Sequence, residues 1–389
     1  MTPAARTQAA IDILDLVLAA ARDDGPPADS IVQRYFKTRR YAGSKDRRAV
    51  RELVFRAIRR SGERPASGRA AMIGLASEDG QIEFDIVGHG APPPRADEQA
   101  SPAAYLPLWI EAELSRHVSR DEWPALLERA PLDLRVNCAT ADRAAMAAAL
   151  AAEPTPLSPW GLRLPPDTRV DDRPEFAAGQ IEVQDEGSQL IALACSPRDG
   201  IDLLDLCAGA GGKALALAAA APGARVVASD TNRQRLSQLA PRAARAGAQI
   251  ATRLLDPGHE AQALADLAGQ MHVVLVDAPC SGSGTWRRNP EGRWRLTPER
   301  LDRVIRLQAT LLDLAAPLVQ PGGALIYATC SILAREGAGQ IDAFLGRHSG
   351  WIAQDVGFEG GRVDGSGRLL TPAHDQTDGF FVARLVAAC

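Results

Sequence analysis

The sequence predicts an α/β protein built on a doubly wound, mostly parallel sheet, with smaller units placed ahead of it. Two observations carry the prediction. From residue 200 onward, apolar runs alternate with stretches of helical period, the pattern of strands and crossover helices. The first of these runs, Leu203-Leu204-Asp205-Leu206, enters a glycine-dense turn, Cys207-Ala208-Gly209-Ala210-Gly211-Gly212-Lys213, and the turn opens straight into an alanine/leucine helix pattern. Strand, tight turn and helix in that order let a ligand approach backbone N–H groups at a helix N-terminus.

Composition limits the alternatives. The 389 residues are 46% hydrophobic and 24% charged, as in soluble globular chains of two or three domains. No apolar run reaches the ~18 residues of a membrane helix. Asp12 and Asp15 interrupt the N-terminal apolar stretch, so no signal peptide and a cytoplasmic protein are expected. The six cysteines, at 138, 195, 207, 280, 330 and 389, form no C-x-x-C pair. Neither a metal site nor a disulfide framework is expected. The net charge is −4, yet Ile31 to Ala70 carries 13 Lys or Arg against three acidic residues. Such a segment suits phosphate backbones, with Arg39, Arg40, Lys45, Arg47 and Arg48 as candidate RNA contacts.

Taken in order, residues 3–24 place Ile11, Leu14, Leu18 and Ala21 at helical spacing, and Gly25-Pro26-Pro27 ends the helix. Ser30 is the expected cap of the next, through Val32 and Phe36. Ser44 then precedes a helix over 45–60, with Val50, Val54, Phe55 and Ile58 on one face and arginines on the other. Residues 1–65 read as a helical domain. Residues 66–130 read as a connector, linker-like from Gly88 to Pro94, with weak helices at 103–117 and 121–129. Residues 131–180 read as a small α+β unit: strand 131–137, helix 141–152, strand 162–164. Strand 179–184 and helix 186–194 lead into the last domain, 181–389. Its strands are expected at 201–206, 225–229, 250–255, 272–276 and 323–328, with helices at 212–221, 232–246, 260–268 and 298–316. A helix near 335–347 and a strand at 379–386 close it.

The 207–213 turn does not name its ligand alone. A phosphate-cradling loop fails, because Ala214 follows Gly212-Lys213 and Cys207 stands where the first Gly belongs. Gly209, Gly211 and Ala214 match a dinucleotide fingerprint, and S-adenosylmethionine uses the same strand–turn–helix start. Asp230, Asp256 and Asp277 end successive strands on the ligand edge. Two cysteines follow strands on that edge, in Asp277-Ala278-Pro279-Cys280-Ser281-Gly282-Ser283-Gly284 and Tyr327-Ala328-Thr329-Cys330-Ser331. Cys138 and Cys195 fit the ordinary role of a small buried hydrophobe, and Cys389 is a tail residue. Two thiols beside a methyl donor suit pyrimidine chemistry. A thiolate adding to carbon 6 makes carbon 5 nucleophilic, which splits one hard step into easier ones. Asp277 is placed to hydrogen-bond the ring, and the base must be unpaired to be reached.

On these motifs, with Val183-Gln184-Asp185-Glu186-Gly187-Ser188-Gln189 and Asp378-Gly379-Phe380-Phe381, the chain resembles the RsmB/Nop/Sun family of RNA cytosine carbon-5 methyltransferases over about 175–389. The resemblance implies a Rossmann-like class I methyltransferase domain that uses S-adenosylmethionine. It implies Cys330 as the nucleophile, Cys280 as the residue assisting release, and Asp277 beside them. Donor contacts carry over to Cys207, Ala208, Gly209, Ala210, Gly211, Gly212, Lys213, Asp230, Asp256 and Asp277. The family loop commonly reads Cys-Ala-Ala-Pro-Gly-Gly-Lys. Gly209-Ala210 departs from it and gives up some preorganisation, but contacts there are through backbone. Residues 1–65 resemble, more weakly, the NusB-like domain of the bacterial RsmB branch, and 131–180 the family's RNA-recognition-like subdomain. The basic stretch from Thr285 to Arg295 is expected as a substrate loop, with Arg287, Arg288 and Arg293 on phosphates and Trp286 and Trp294 stacking on bases or anchoring the loop. The expected protein is a monomer acting on RNA, in particular rRNA. A non-catalytic RNA-binding assembly factor of the same fold is the second reading. An NAD enzyme would leave both cysteine motifs unexplained.

Overall fold

The computed structural model describes residues 1–23, 25–86 and 89–388. Asp24 at the end of the first expected helix, Gly88 at the start of the expected linker, and Cys389 lie outside them. Two compact units result: Met1–Leu114 with Arg120–Glu128 and Thr285–Pro298, and Ser115–Ser119 with Arg129–Gly284 and Glu299–Cys389.

The first unit is helical: α1 (Pro3–Arg22), α2 (Ala28–Lys37), α3 (Ser44–Arg60) and α4 (Gly68–Ala76). Thr2 caps α1 by accepting from the Ala5 N–H, and Pro3 fills the first helical turn, where its missing N–H is harmless. α1 buries Ile11, Leu14 and Leu18, while α3 buries Val50, Val54, Phe55 and Ile58. α4 starts at a Ser67 cap and packs on α1, so the helical unit runs past the boundary expected at 65. The weak helices expected after residue 100 are 3-10 turns, Leu108–Glu113 and Arg120–Glu122. Ser30 is not the cap of α2. That helix begins two residues earlier, and its Ala28 N–H is satisfied by Glu291 Oε1 at 2.9 Å.

Glu291 belongs to the stretch expected as a substrate loop, and here the structure corrects the sequence. Trp286 and Trp294 are buried, not available to stack on bases. Trp294 Nε1 donates to Ser61 O at 2.9 Å. Arg293 is 0% exposed and donates to Ile58 O at 2.7 Å, to Pro290 O at 3.0 Å and to Tyr105 O. Arg295 donates to Gly25 O at 2.7 Å and Pro26 O at 2.8 Å. Ile58 lies in the last turn of α3, where a helix carries a partial negative charge, and Gly25 and Pro26 lie in the connection between α1 and α2. Arg287 is 5% exposed and also cannot reach a phosphate. Arg288 is half-buried.

The second unit holds two sheets. A small antiparallel sheet of β1 (Leu132–Val136), β2 (Glu153–Pro154), β3 (Gly161–Leu164) and β4 (Ile181–Val183) has the order β2-β3-β1-β4 and buries Leu134, Val136, Leu162 and Ile181. The large sheet contains β5 (Asp202–Asp205), β6 (Arg225–Asp230), β7 (Ile250–Leu254), β8 (Met271–Asp277), β9 (Val319–Thr329), β10 (Trp351–Gln354), β11 (Arg362–Asp364), β12 (Gly367–Leu370) and β13 (Phe380–Ala387). Its order is β11-β12-β13-β9-β8-β5-β6-β7, with β10 on β13. β5 to β9 pair in parallel; β13 and the short strands beyond it are antiparallel. The chain winds from β5 to β6 and β7, then crosses back to β8 and β9. The reversal falls between β5 and β8, where such sheets open a ligand crevice. No helix among the described residues is long and apolar enough to cross a membrane.

Trp294→Ala is expected to remove about 3–5 kcal/mol of stability, the usual loss for a large buried aromatic, as read by denaturant titration. A change below about 0.5 kcal/mol, typical of surface positions, would show that Trp294 anchors nothing.

Candidate active site

β5 delivers the glycine turn to the carboxyl edge of the sheet. Gly209 and Gly211 have φ of 56° and 85°, left-handed values that side chains resist. A Cβ on Gly211 would also lie 2.1 Å from Leu239 Cδ1. The Gly209 N–H donates to Asp230 Oδ2 at 2.7 Å, and Asn232 N–H to Asp230 Oδ1 at 2.6 Å. The ends of β5 and β6 are thus tied together. Asp256 lies two residues past β7, exposed, on the same edge. Burial, then the charges of Asp205, Asp277 and Asp230, push the Cys207 thiol well above its ordinary value. Cys207 is half-buried in the turn.

Lys213, in the first turn of the Gly212–Ala220 helix, is 8% exposed, and its Nζ meets Asp277 Oδ2 at 2.6 Å. Burial opposes the ammonium, but Asp277 and then Asp205 raise its pKa overall. Asp205 was not singled out from the sequence. It is 1% exposed, and neither oxygen has a well-formed hydrogen bond, with the Ala214 N–H exerting only a weak pull. Burial first, then the charge of Asp277, raise its carboxyl to about 7.

The two cysteine turns leave adjacent strands at one level. The parallel register sets Asp277 opposite Ala328, and Ala278 N–H donates to Ala328 O at 2.9 Å. Three residues past one strand end and one past the other, Cys280 Sγ and Cys330 Sγ lie 3.2 Å apart. The Cys280 thiol is held well above its ordinary value by its contact with Cys330, then by burial and by Glu336. Gly284 closes the first turn: its N–H donates to Cys330 O at 3.0 Å, and a Cβ there would lie 1.9 Å from Gly379 O. Gly379 N–H returns a bond to Gly284 O at 2.8 Å, and Asp185 accepts from the Asp378 N–H. The motifs at 183–189 and 378–381 therefore brace the cysteine turns.

The structure gathers Lys213, Asp230, Asp277, Cys280 and Cys330 at one edge and adds Asp205 and Glu336. Asp205 was visible as a carboxylate inside an apolar strand; Glu336 had no local signal. Cys195 is buried as expected, but Cys138 is exposed, its thiol donating to Ala219 O at 3.3 Å. Of the N-terminal basic residues, Arg40, Lys45, Arg47 and Arg48 are exposed, and the Arg39 guanidinium lies 3.6 Å from the Tyr35 ring centroid. No group of three or more His, Cys, Asp or Glu among the described residues could hold a metal ion.

The edge fits S-adenosylmethionine on its own chemistry. A turn with left-handed glycines lets backbone come close, and the orphaned Asp205 carboxylate matches a ligand ammonium. Residues 191–386 match the family model for 16S rRNA methyltransferase RsmB/F. Ribosomal RNA small subunit methyltransferase B of Salmonella arizonae and of Salmonella typhi are each 34% identical to the chain over 281 residues. That match takes in 72% of this chain and 59% of each relative, so the chain spans less than two thirds of the curated relatives it matches. Among solved structures, PH0851 has a TM-score of 0.76 at 21% identity, covering 97% of this chain and 98% of that one. A methyltransferase homologue from Pyrococcus horikoshii has a TM-score of 0.61 at 23% identity, covering 71% and 92%. These two establish the fold. The chain belongs to the RsmB/F family of 16S rRNA methyltransferases.

Proposed function

We propose that the protein methylates carbon 5 of a cytosine in ribosomal RNA by covalent catalysis. The observation that carries this reading is the pair of thiols 3.2 Å apart at the ends of β8 and β9, beside the Lys213–Asp277 ion pair. In this reading Cys280, whose thiol is held well above its ordinary value by its contact with Cys330 and by burial, keeps its proton, and Cys330 is the attacking sulfur. The Cys330 thiolate adds to carbon 6 of the base. The sulfur–carbon bond forms as the carbon 5–carbon 6 double bond gives its electrons to the ring. Asp277 hydrogen-bonds ring nitrogen 3 or the amino group. S-adenosylmethionine would supply the electrophilic methyl group that carbon 5 takes up, its sulfur–methyl bond breaking with the electron pair left on the departing S-adenosylhomocysteine. Loss of the carbon 5 proton to solvent or Asp277 restores the double bond and expels the Cys330 sulfur, whose negative charge the Cys280 S–H meets.

The donor would rest on Cys207 to Lys213 and on Asp205, Asp230, Asp256 and Asp277. RNA phosphates would meet Arg39, Arg40, Lys45, Arg47 and Arg48, with Arg288 from the later segment. The relatives' names point to small-subunit RNA as the substrate class.

Cys330→Ala is expected to abolish both methyl transfer and the protein–RNA adduct, and Cys280→Ala to accumulate the adduct. Labelled donor, unmodified 16S rRNA and denaturing gels check both. No labelled 5-methylcytosine with the parent protein, in naked RNA or assembled subunits, would reject the reading.

Donor binding should also depend on pH. An unfolded Asp titrates near about 4, and folded Asp205 at about 7. Between these values the folded chain holds a proton that the unfolded one has lost. The stabilising contribution is full below about pH 4 and lost as pH rises through about 7. A ligand ammonium favours the carboxylate, so donor affinity should fall below about pH 7, by up to about tenfold per unit. Calorimetry would show a proton released on binding near pH 6 in the parent and none in Asp205→Asn. Equal proton release in both would remove Asp205 from the donor site.

A further inference from the structure

We propose that Glu336 is a positioning residue of this site: its carboxylate clamps the two cysteine turns together and keeps the Cys280 sulfur protonated beside Cys330. The proposal rests on the covalent reading above, and its test can be separated from that reading.

Glu336 is 0% exposed, at the end of the short turn Ala334–Glu336. Its Oε1 accepts from the Ser281 N–H at 2.8 Å and from Gln308 Nε2 at 2.9 Å, and its Oε2 accepts from Ser331 Oγ at 2.6 Å. One side chain thus holds the residue that follows each cysteine. Gln308 Nε2 also donates to Pro279 O at 3.0 Å, so the first turn is gripped on both sides of Cys280. Ser331 Oγ accepts from the Leu333 N–H at 3.1 Å and meets Ser283 Oγ at 2.9 Å. The Tyr327 hydroxyl donates to Glu336 O at 2.8 Å, which fixes the clamp to β9.

The clamp also places charge. Cys330 and then Glu336 act on the Cys280 thiol and raise it. A carboxylate bonded to the backbone N–H of the next residue holds its negative charge close to that thiol and favours the protonated form. Three donors aimed at Glu336 suit an acceptor-only carboxylate, and an amide in its place must turn one contact around.

The test uses the full chain. Alkylation of Cys280 and Cys330 by iodoacetamide is followed by mass spectrometry across pH, with buried Cys195 as the monitor of folding. In Glu336→Gln, Cys280 should react about tenfold faster near pH 8, because losing the charge lowers its titration by about one unit. Glu336→Asp keeps the charge and should leave Cys280 within about threefold of the parent. Methylation by Glu336→Gln should lose more than about tenfold in kcat with the RNA KM within about twofold, the split expected when only the chemical step is disturbed. An unchanged Cys280 profile in a folded Glu336→Gln, or equal acceleration by Gln and Asp, overturns the proposal. If Glu336→Gln does not fold, Glu336→Asp decides alone, and a tenfold faster Cys280 there overturns it. A parent that alkylates as expected but makes no 5-methylcytosine removes the covalent reading and leaves the clamp standing.

Discussion

The site depends on the register between β8 and β9. Parallel neighbours advance together, so a pairing that sets Asp277 opposite Ala328 brings both following turns off the sheet at the same height. Two cysteines fifty residues apart in sequence then have no choice but to meet. A slip of one residue would turn one strand's side chains over and carry its turn out of reach. The buried, near-continuous apolar runs of both strands make such a slip costly.

Around that meeting point charged groups gather. Lys213 is locked to Asp277, and Glu336 spans the two cysteine turns through Ser281 and Ser331. Asp205 is left inside the sheet edge with its oxygens almost unserved. Such a buried, unserved carboxylate costs stability.

The sequence made the catalytic sheet legible because its elements announce themselves locally. Apolar runs, the glycine turn and the two cysteine turns each carry their own pattern, and β5 to β9 fall close to where those patterns lie. What was missed is non-local. β10 to β12 are short and show no clear alternation, and β10 and β11 carry exposed positions. Asp205 reads as a flaw in an apolar strand until its isolation is seen in three dimensions. Glu336 follows Cys330 in an unmarked stretch, and its meaning lies in contacts with Ser281 and Gln308. The arginines after Thr285 read as phosphate contacts and the tryptophans as base-stacking or anchoring, because sequence alone cannot distinguish a cation aimed at phosphate from one aimed at buried carbonyls.

That last point bears on how the chain can be divided. Glu291, Arg293, Trp294 and Arg295 supply an N-cap, helix-end donors and a core side chain to helices whose own sequence ended more than two hundred residues earlier. The helical unit is therefore completed late in synthesis, after the first four parallel strands have emerged from the ribosome. It cannot be cut free at its apparent boundary, nor transplanted as a module, without leaving behind the segment that finishes it.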